Sequence, residues 1–452
     1  MLIEFSVGNF TSFNKINKLT MVSTSKRELK THTVAIEKSK NPKIMLNRLA
    51  AFFGANASGK SNFFYALRIM RVIITNSGLS LSQDKVRRKG REMPPFKPFA
   101  FTAEGSKRPT TFEIVFSSKD EKIYRYGFSY EEKRFSREWL YVRRDPKQKE
   151  AELFTREGTS ISGEKESDLE PSRKHITDER LAFTILAELQ VEPYVQAMNF
   201  FQNIEAVPSS DSPHLEELAE LARNVDGRLL SKLLRFADTG LRTISAEELS
   251  EEVSEEERQK ALQNAPEEVQ ALIRAIEGLS PGDNKMFKCK FHHEVYDYAS
   301  DNVRECHLTW KDESRGTLRY ISLISYFLDA LKNDKLLIVD EMDSSLHPFL
   351  VEGLIRLFTE AGSRAQLLFS SHCPFLFDQQ KIRRDELWLV NKNGLGESQM
   401  ASASDFQARG DGNLAKGYLD GKFSGIPYVQ YHLLEDCVKA INAYIAGGRK
   451  EA

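Results

Sequence analysis

The stretch Ala50–Leu67, AAFFGANASGKSNFFYAL, decides how the rest of this 452-residue chain is read. An apolar run ends at Gly54, mixed residues follow, and Gly59, Lys60 and Ser61 lead into a helix-like spacing of apolar residues. This is the pattern GxxxxGK[ST], placed between a strand-like and a helix-like segment as its chemistry requires. Backbone N–H groups of such a loop, and the N-terminus of the following helix, point at phosphate oxygens. Gly54 and Gly59 stand where a Cβ would block the turn or the ligand. Lys60 would neutralise the β- and γ-phosphates, and the Ser61 hydroxyl would ligate Mg²⁺. Asn56 and Ser58 in the loop and Asn62 just after it complete the candidate nucleotide-contacting set.

A second segment, LLIVDEMDSSLHP (Leu336–Pro348), supplies the acids. Leu336 to Val339 read as a buried strand with Asp340 at its carboxyl end. An acid there can hold Mg²⁺ through water beside Ser61, the Walker B role. Glu341 is placed to orient or deprotonate an attacking water. Taken alone, Asp-Glu after a strand reads equally well as a helix cap. Asp343 follows, and a further strand, AQLLFSSH, carries His372 at its end, where a ring N–H can donate to a γ-phosphate.

Lys+Arg is 64 and Asp+Glu is 65, a net charge of -1, so bulk electrostatics favour neither nucleic acid nor a membrane surface. Any such surface must be a local patch. The basic run KVRRKGRE (85–92) is the candidate, for an acidic partner or nucleic acid, set against a plain solvated loop. The four cysteines are far apart and form no CxxC pair, which argues against a cysteine zinc site or a disulfide framework and fits a reducing cytoplasm. The opening MLIEFSVGNF alternates like a strand, unlike a signal peptide, and no apolar run is long enough to span a bilayer. His292, His293 and His307 could suggest a metal site, but they sit on strand-like segments whose alternation is expected to scatter them into satisfied or exposed roles.

Patterning predicts an α/β fold: a mixed sheet with flanking helices and an antiparallel β subdomain, plus a helical insert. Residues 1–165 are the N-terminal part of the core, with the phosphate loop and a meander over 110–142; 146–172 reads as a polar loop. Residues 166–282 are the insert, a lid or an oligomer contact; AEELSEEVSEEERQKAL within it is read as helix. Residues 283–400 are the C-terminal part of the core, and 401–452 an extension. Glu138 is a candidate for a further Mg²⁺-side residue, weighed against an exposed strand position.

Together these motifs resemble the ABC-type ATPase superfamily, with Walker A, Walker B, D-loop and H-loop at 54–61, 336–341, 343–346 and 372. The resemblance implies the fold of an ABC/SMC-like head and a signature segment before Walker B. Here DESRGTLRYISLISYFLDAL holds that place. Ser314 and Gly316 match, whereas Arg315 and Thr317 depart from the transporter form; SRGT alone would also serve as a helix cap. More finely, NFTSF near the start, PTTFEIVF, YRYGF and GYLDGKFSGIPYV are similar to stand-alone prokaryotic ATPases labelled AAA15 or AAA21. These resemble anti-phage defence subunits of the PARIS, Rlo and Septu types. That resemblance implies ATP and Mg²⁺ as cofactors, hydrolysis by Glu341 with Lys60 and His372, and a homodimer or larger ring. It also implies a separately encoded effector nuclease, Toprim-like or HNH, and a phage-encoded trigger. No spaced Glu…DxD cluster follows His372, so the chain itself is not expected to cut nucleic acid. Two alternatives stay open: a RecF/SMC-like DNA-repair ATPase, and a nucleotide-gated scaffold with negligible turnover.

Overall fold

The computed structural model describes all residues except 25–28, 37–43, 78–95, 133, 145–147, 209–214, 250–285, 298–300, 379, 407–413, 422–432 and 449–452. Residues 1–55 supply strands, as their alternation predicts: β1 (Leu2–Gly8), β2 (Asn17–Thr20), β3 (Thr33–Ala35), β4 (Met45–Asn47) and β5 (Leu49–Phe53). Helix α1 (Lys60–Asn76) follows the glycine loop. The meander is present as β6 (Thr110–Ser117), β7 (Ile123–Tyr130) and β8 (Phe135–Arg143).

The segment read as a polar loop is not one. It adds β9 (Ala151–Glu157), β10 (Ser160–Ser162) and helix α2 (Glu166–Arg173). β9 extends the meander by pairing with β8, so its half-exposed, polar-rich alternation is an outer strand of a sheet.

The insert is corrected as well. Helices α3 (Ala182–Glu188), α4 (Tyr194–Gln202), α5 (Leu215–Asn224) and α6 (Gly227–Phe236) are interrupted by β11 (Ile204–Ala206) and followed by β12 (Leu241–Leu249). Ala246–Leu249, read as the start of an acidic helix, is strand; the rest of that helix lies outside the described residues. β12 pairs with β13 (Met286–Asp297), which pairs with β14 (Asn302–Leu308). After these come α7 (Arg315–Asn333), β15 (Leu336–Val339), α8 (Pro348–Glu360), β16 (Gln366–Ser370), β17 (Leu387–Lys392), β18 (Ser398–Ser402), α9 (Leu414–Leu419) and α10 (Leu434–Gly448).

The central sheet runs β11-β15-β16-β5-β17-β18, parallel except at β18. Its strands are apolar at successive positions because both faces are covered. Ala50, Phe52, Leu336, Ile338, Leu368, Trp388 and Val390 face α1, α3, α4 and the antiparallel sheet. Their neighbours Leu49, Ala51, Phe53, Leu337, Val339, Leu367, Phe369, Leu387 and Leu389 face α5 to α8. The antiparallel sheet, β10-β9-β8-β7-β6-β1-β2, is the second layer. This is the α/β head with an antiparallel subdomain that the sequence predicts.

Long-range polar ties join the ends of the chain. Gln366 accepts from Leu2 N at 2.6 Å and donates to Leu2 O at 3.0 Å and Asn47 O at 3.1 Å. Arg48, 3% exposed, donates to Phe358 O and Thr359 O, each at 2.7 Å, and to Ala361 O at 2.9 Å, closing the C-terminus of α8. Among the described residues no helix is long and apolar enough to cross a membrane.

Candidate active site

The carboxyl ends of β5, β15 and β16 lie side by side, and the loops leaving them carry most of the expected residues. In open α/β sheets this is where ligands sit.

Beyond β5 the phosphate loop is fixed by close packing. A Cβ on Gly54 would come within 2.2 Å of Val390 O. Gly59 has φ +115° and stands 2.3 Å, measured from the same ideal Cβ, from Ser398 Oγ and 2.9 Å from Ser12 Oγ. Only glycine accepts both that backbone and that proximity. Ser398 Oγ bonds Ser58 O at 2.6 Å and Ser12 Oγ at 2.7 Å, and Asn62 Nδ2 donates to Ser12 Oγ at 2.8 Å. Two hydroxyls from opposite ends of the chain thus form the floor of the loop. Sequence reasoning missed both as site residues. Ser12 lies in the quoted NFTSF segment, but nothing in the polar segment SQMAS marks Ser398.

Lys60 is buried at 6% exposure, and its amine donates to Gly54 O at 2.7 Å and Ala55 O at 3.2 Å. Burial pushes its pKa below the usual lysine value, opposed by the negative field of Asp340, Glu341 and Asp343. The phosphate-loop lysine and three acids from the β15 loop therefore share one locale. Asn56 and Ser61 are exposed at the loop surface. Ser61, Asn62 and Asp340 line one cavity of about 350 Å³, together with Arg68 and Lys97.

Ser370, at the end of β16, organises the acids. Its hydroxyl donates to Asp340 Oδ1 at 2.5 Å and accepts from Glu341 N at 2.7 Å. Glu341 is exposed and has φ +49°, so its backbone leaves the strand by a sharp turn. Asp343 Oδ2 accepts from His372 N at 3.0 Å, which ties the D-loop to the H-loop; the His372 ring is exposed.

Ser314 and Gly316 are held elsewhere. Ser314 caps α7, its Oγ accepting from Thr317 N at 3.0 Å, so the cap reading holds locally. Gly316 packs on the D-loop, where a Cβ would lie 2.8 Å from Ser345 O. Ser314 and Arg315 are exposed. The structure joins this segment to the D-loop of its own chain, and Arg319 of α7 donates to Asp340 O at 3.3 Å.

Glu138 is corrected: it is neither exposed nor a Mg²⁺-side residue. At 1% exposure, its carboxylate accepts from Ala182 N (2.8 Å), Phe183 N (2.9 Å), Tyr126 Oη (2.9 Å) and Arg156 Nη1 (3.1 Å). It fastens the start of α3 to the meander. The scattering expected of the histidines is also overturned: His292 faces His307 directly across β13 and β14, and only His293 points the other way. The KVRRKGRE run lies outside the described residues.

The residues at this site suit a Mg²⁺-nucleotide. Ser58 Oγ in the loop is buried without a hydrogen-bond partner, and Asp343 Oδ1 likewise. A lysine, a hydroxyl and carboxylates are the donor set for triphosphate and a hard cation.

A family model described as "AAA domain, putative AbiEii toxin, Type IV TA system" matches residues 49–378. The chain belongs to this AAA_21 family. Its match runs from β5 through the H-loop, and so contains every expected site residue. No curated protein matches the chain. Among solved structures, an SMC head bound to the C-winged helix domain of ScpA is similar at 12% identity and TM-score 0.43, covering 89% of this chain and 97% of that one. The SMC head domain from Thermotoga maritima is similar at 12% identity and TM-score 0.37, with 89% and 98% covered.

Proposed function

We propose that this AAA_21 protein binds Mg²⁺·ATP and hydrolyses it in a pocket completed by a second copy. We further propose that it serves as the sensor and scaffold of a prokaryotic anti-phage system, controlling a separately encoded effector nuclease. The observation that carries the first part is the buried Lys60 amine, held on the carbonyls of the glycine loop in the field of Asp340, Glu341 and Asp343.

In this reading the loop N–H groups and Lys60 bind the phosphates, and Ser61 and Asp340 hold the cation. A Mg²⁺ held there would neutralise charge on the phosphates. Glu341 orients the attacking water and takes its proton, and His372 donates to the γ-phosphate. Lys60 swings from the carbonyls of Gly54 and Ala55 to the phosphate, exchanging two neutral acceptors for a charged one. Ser314 and the N–H groups at the exposed start of α7 offer an anion site to a second copy's nucleotide. Hydrolysis then removes the γ-phosphate contacts that bridge the copies.

Support for the anti-phage part is the resemblance carried by NFTSF, PTTFEIVF and YRYGF, together with the family's description, whose words name a putative toxin of a toxin–antitoxin system. Phosphate release by wild type and Glu341→Gln tests the core of the reading. Slow turnover is expected, with a loss of about 100-fold or more in the variant. Equal rates would remove Glu341 from its role. The defence role is tested by phage challenge of cells carrying the gene and its neighbours, with Lys60→Ala expected to abolish protection.

A further inference from the structure

A cluster of metal-ligating side chains lies outside the phosphate site, on the sheet β12-β13-β14. His292 on β13 is directly opposite His307 on β14, and Glu305 is two residues from His307. Because side chains alternate along a strand, all three share one face. Their rings and carboxylate converge: the imidazole centroids are 4.4 Å apart, and His292 Nδ1 is 2.5 Å from Glu305 Oε1. One donor atom from each residue can be chosen so that no two are more than 4.8 Å apart.

The second nitrogen of His292 is also committed. Its Nε2 is 2.7 Å from Ser245 Oγ on β12. This is the outer partner that fixes the orientation of a ligating imidazole and leaves the other nitrogen for an ion. A third strand thus contributes to the arrangement. The opposite face is separate: His293 Nε2 meets Glu313 at 2.6 Å and takes no part.

We propose that His292, Glu305 and His307 form a binding site for one divalent transition ion of the zinc type, with solvent at its open position. Two imidazoles and one carboxylate are a borderline donor set suited to zinc and unsuited to Mg²⁺ or Ca²⁺, which take oxygen ligands. Ligands about 2.1 Å from a tetrahedral ion stand about 3.4 Å apart, so small rotations of the exposed Glu305 and His307 side chains close the shell. The ion would clamp β13 to β14 just ahead of α7, the helix that carries Ser314. The proposal stands independently of any nucleotide chemistry.

The test uses the full chain, stripped with chelator and titrated with Zn²⁺ without nucleotide, and with Co²⁺ as an optical probe. One equivalent of Zn²⁺ is expected, and Co²⁺ should develop the visible absorption of a low-coordinate nitrogen and oxygen site. His307→Gln and Glu305→Gln should each weaken binding at least tenfold, and Ser245→Ala about tenfold. His293→Gln should change nothing. Unchanged circular dichroism and ATP binding identify variants that fold. The double variant His292→Gln/His307→Gln keeps all phosphate-site acids and so measures background uptake. Wild-type uptake equal to that background, or no uptake at all, overturns the site.

Discussion

Gly59 and Glu341, like Ala57 and Ser345 beside them in sequence, have left-handed backbones at the site. At Gly59, φ is +115° and two serine hydroxyls crowd the position a Cβ would take. Gly59→Ala is therefore expected to abolish nucleotide binding and to lower the melting temperature, read by fluorescent-nucleotide titration and thermal denaturation. The strain of a left-handed alanine and the clash with Ser398 act together, at about 1–3 kcal/mol for the backbone alone. Glu341→Gln keeps the shape of the side chain and removes the proposed base. ATP-dependent association should then become tighter and longer-lived, as chromatography with light scattering would show. The meeting of Lys60 with Asp340, Glu341 and Asp343 was legible because a phosphate-loop pattern restricts residue type at fixed offsets from strand ends. Ser12, Ser370 and Ser398 were not. Serine is common, and the Ser12–Ser398 contact joins positions 386 apart, which no local pattern encodes.

Among elements, helix α7 carries the clearest test. Ser314 is both its N-cap and the proposed donor to a second copy, and the two roles separate by substitution. Ser314→Ala should lower stability by about 1 kcal/mol, whereas Ser314→Asp should preserve the cap. Both should impair ATP-dependent association, the aspartate more, because it brings a negative charge to the γ-phosphate. A variant with normal stability and normal association would leave Ser314 with the cap alone. The parallel strands were readable from short apolar runs, since burial on both faces leaves a continuous signature. β11 and β9 escaped for opposite reasons. β11 is three residues long within helical surroundings, and β9 is half-exposed with only one strongly apolar residue buried at its centre. β12 was hidden by AEEL, whose helix propensity yields to pairing with β13. Glu138 looked like a surface residue because its four donors come from three other segments of chain.

Across the whole molecule, the two halves of the core share one sheet, with β5 inserted between β16 and β17. Arg48 is a keystone of that union, serving carbonyls at the end of α8 from the start of β5. Replacing it with Met, close in length, leaves those carbonyls unpaired and should cost about 3 kcal/mol. Unfolding should remain a single transition by fluorescence and circular dichroism, because early and late strands share the central sheet and contribute side chains to the cores on both its faces. Two separate transitions would show that the halves fold independently. The α/β class and the antiparallel layer were visible in the sequence. The interleaving of early and late strands was not, since strand order is set by packing at long range.

The floor beneath the phosphate loop has a practical consequence. The homologous stretch begins at residue 49 and stops at 378, so Ser12 and Ser398 both fall beyond it. A shortened version trimmed to those limits would retain each motif yet lose both hydroxyls that seat Gly59, as well as the strand bearing Ser398. Such a fragment should fail to take up nucleotide despite an intact signature of sequence. Inactivity in it would report on missing scaffolding rather than on missing chemistry.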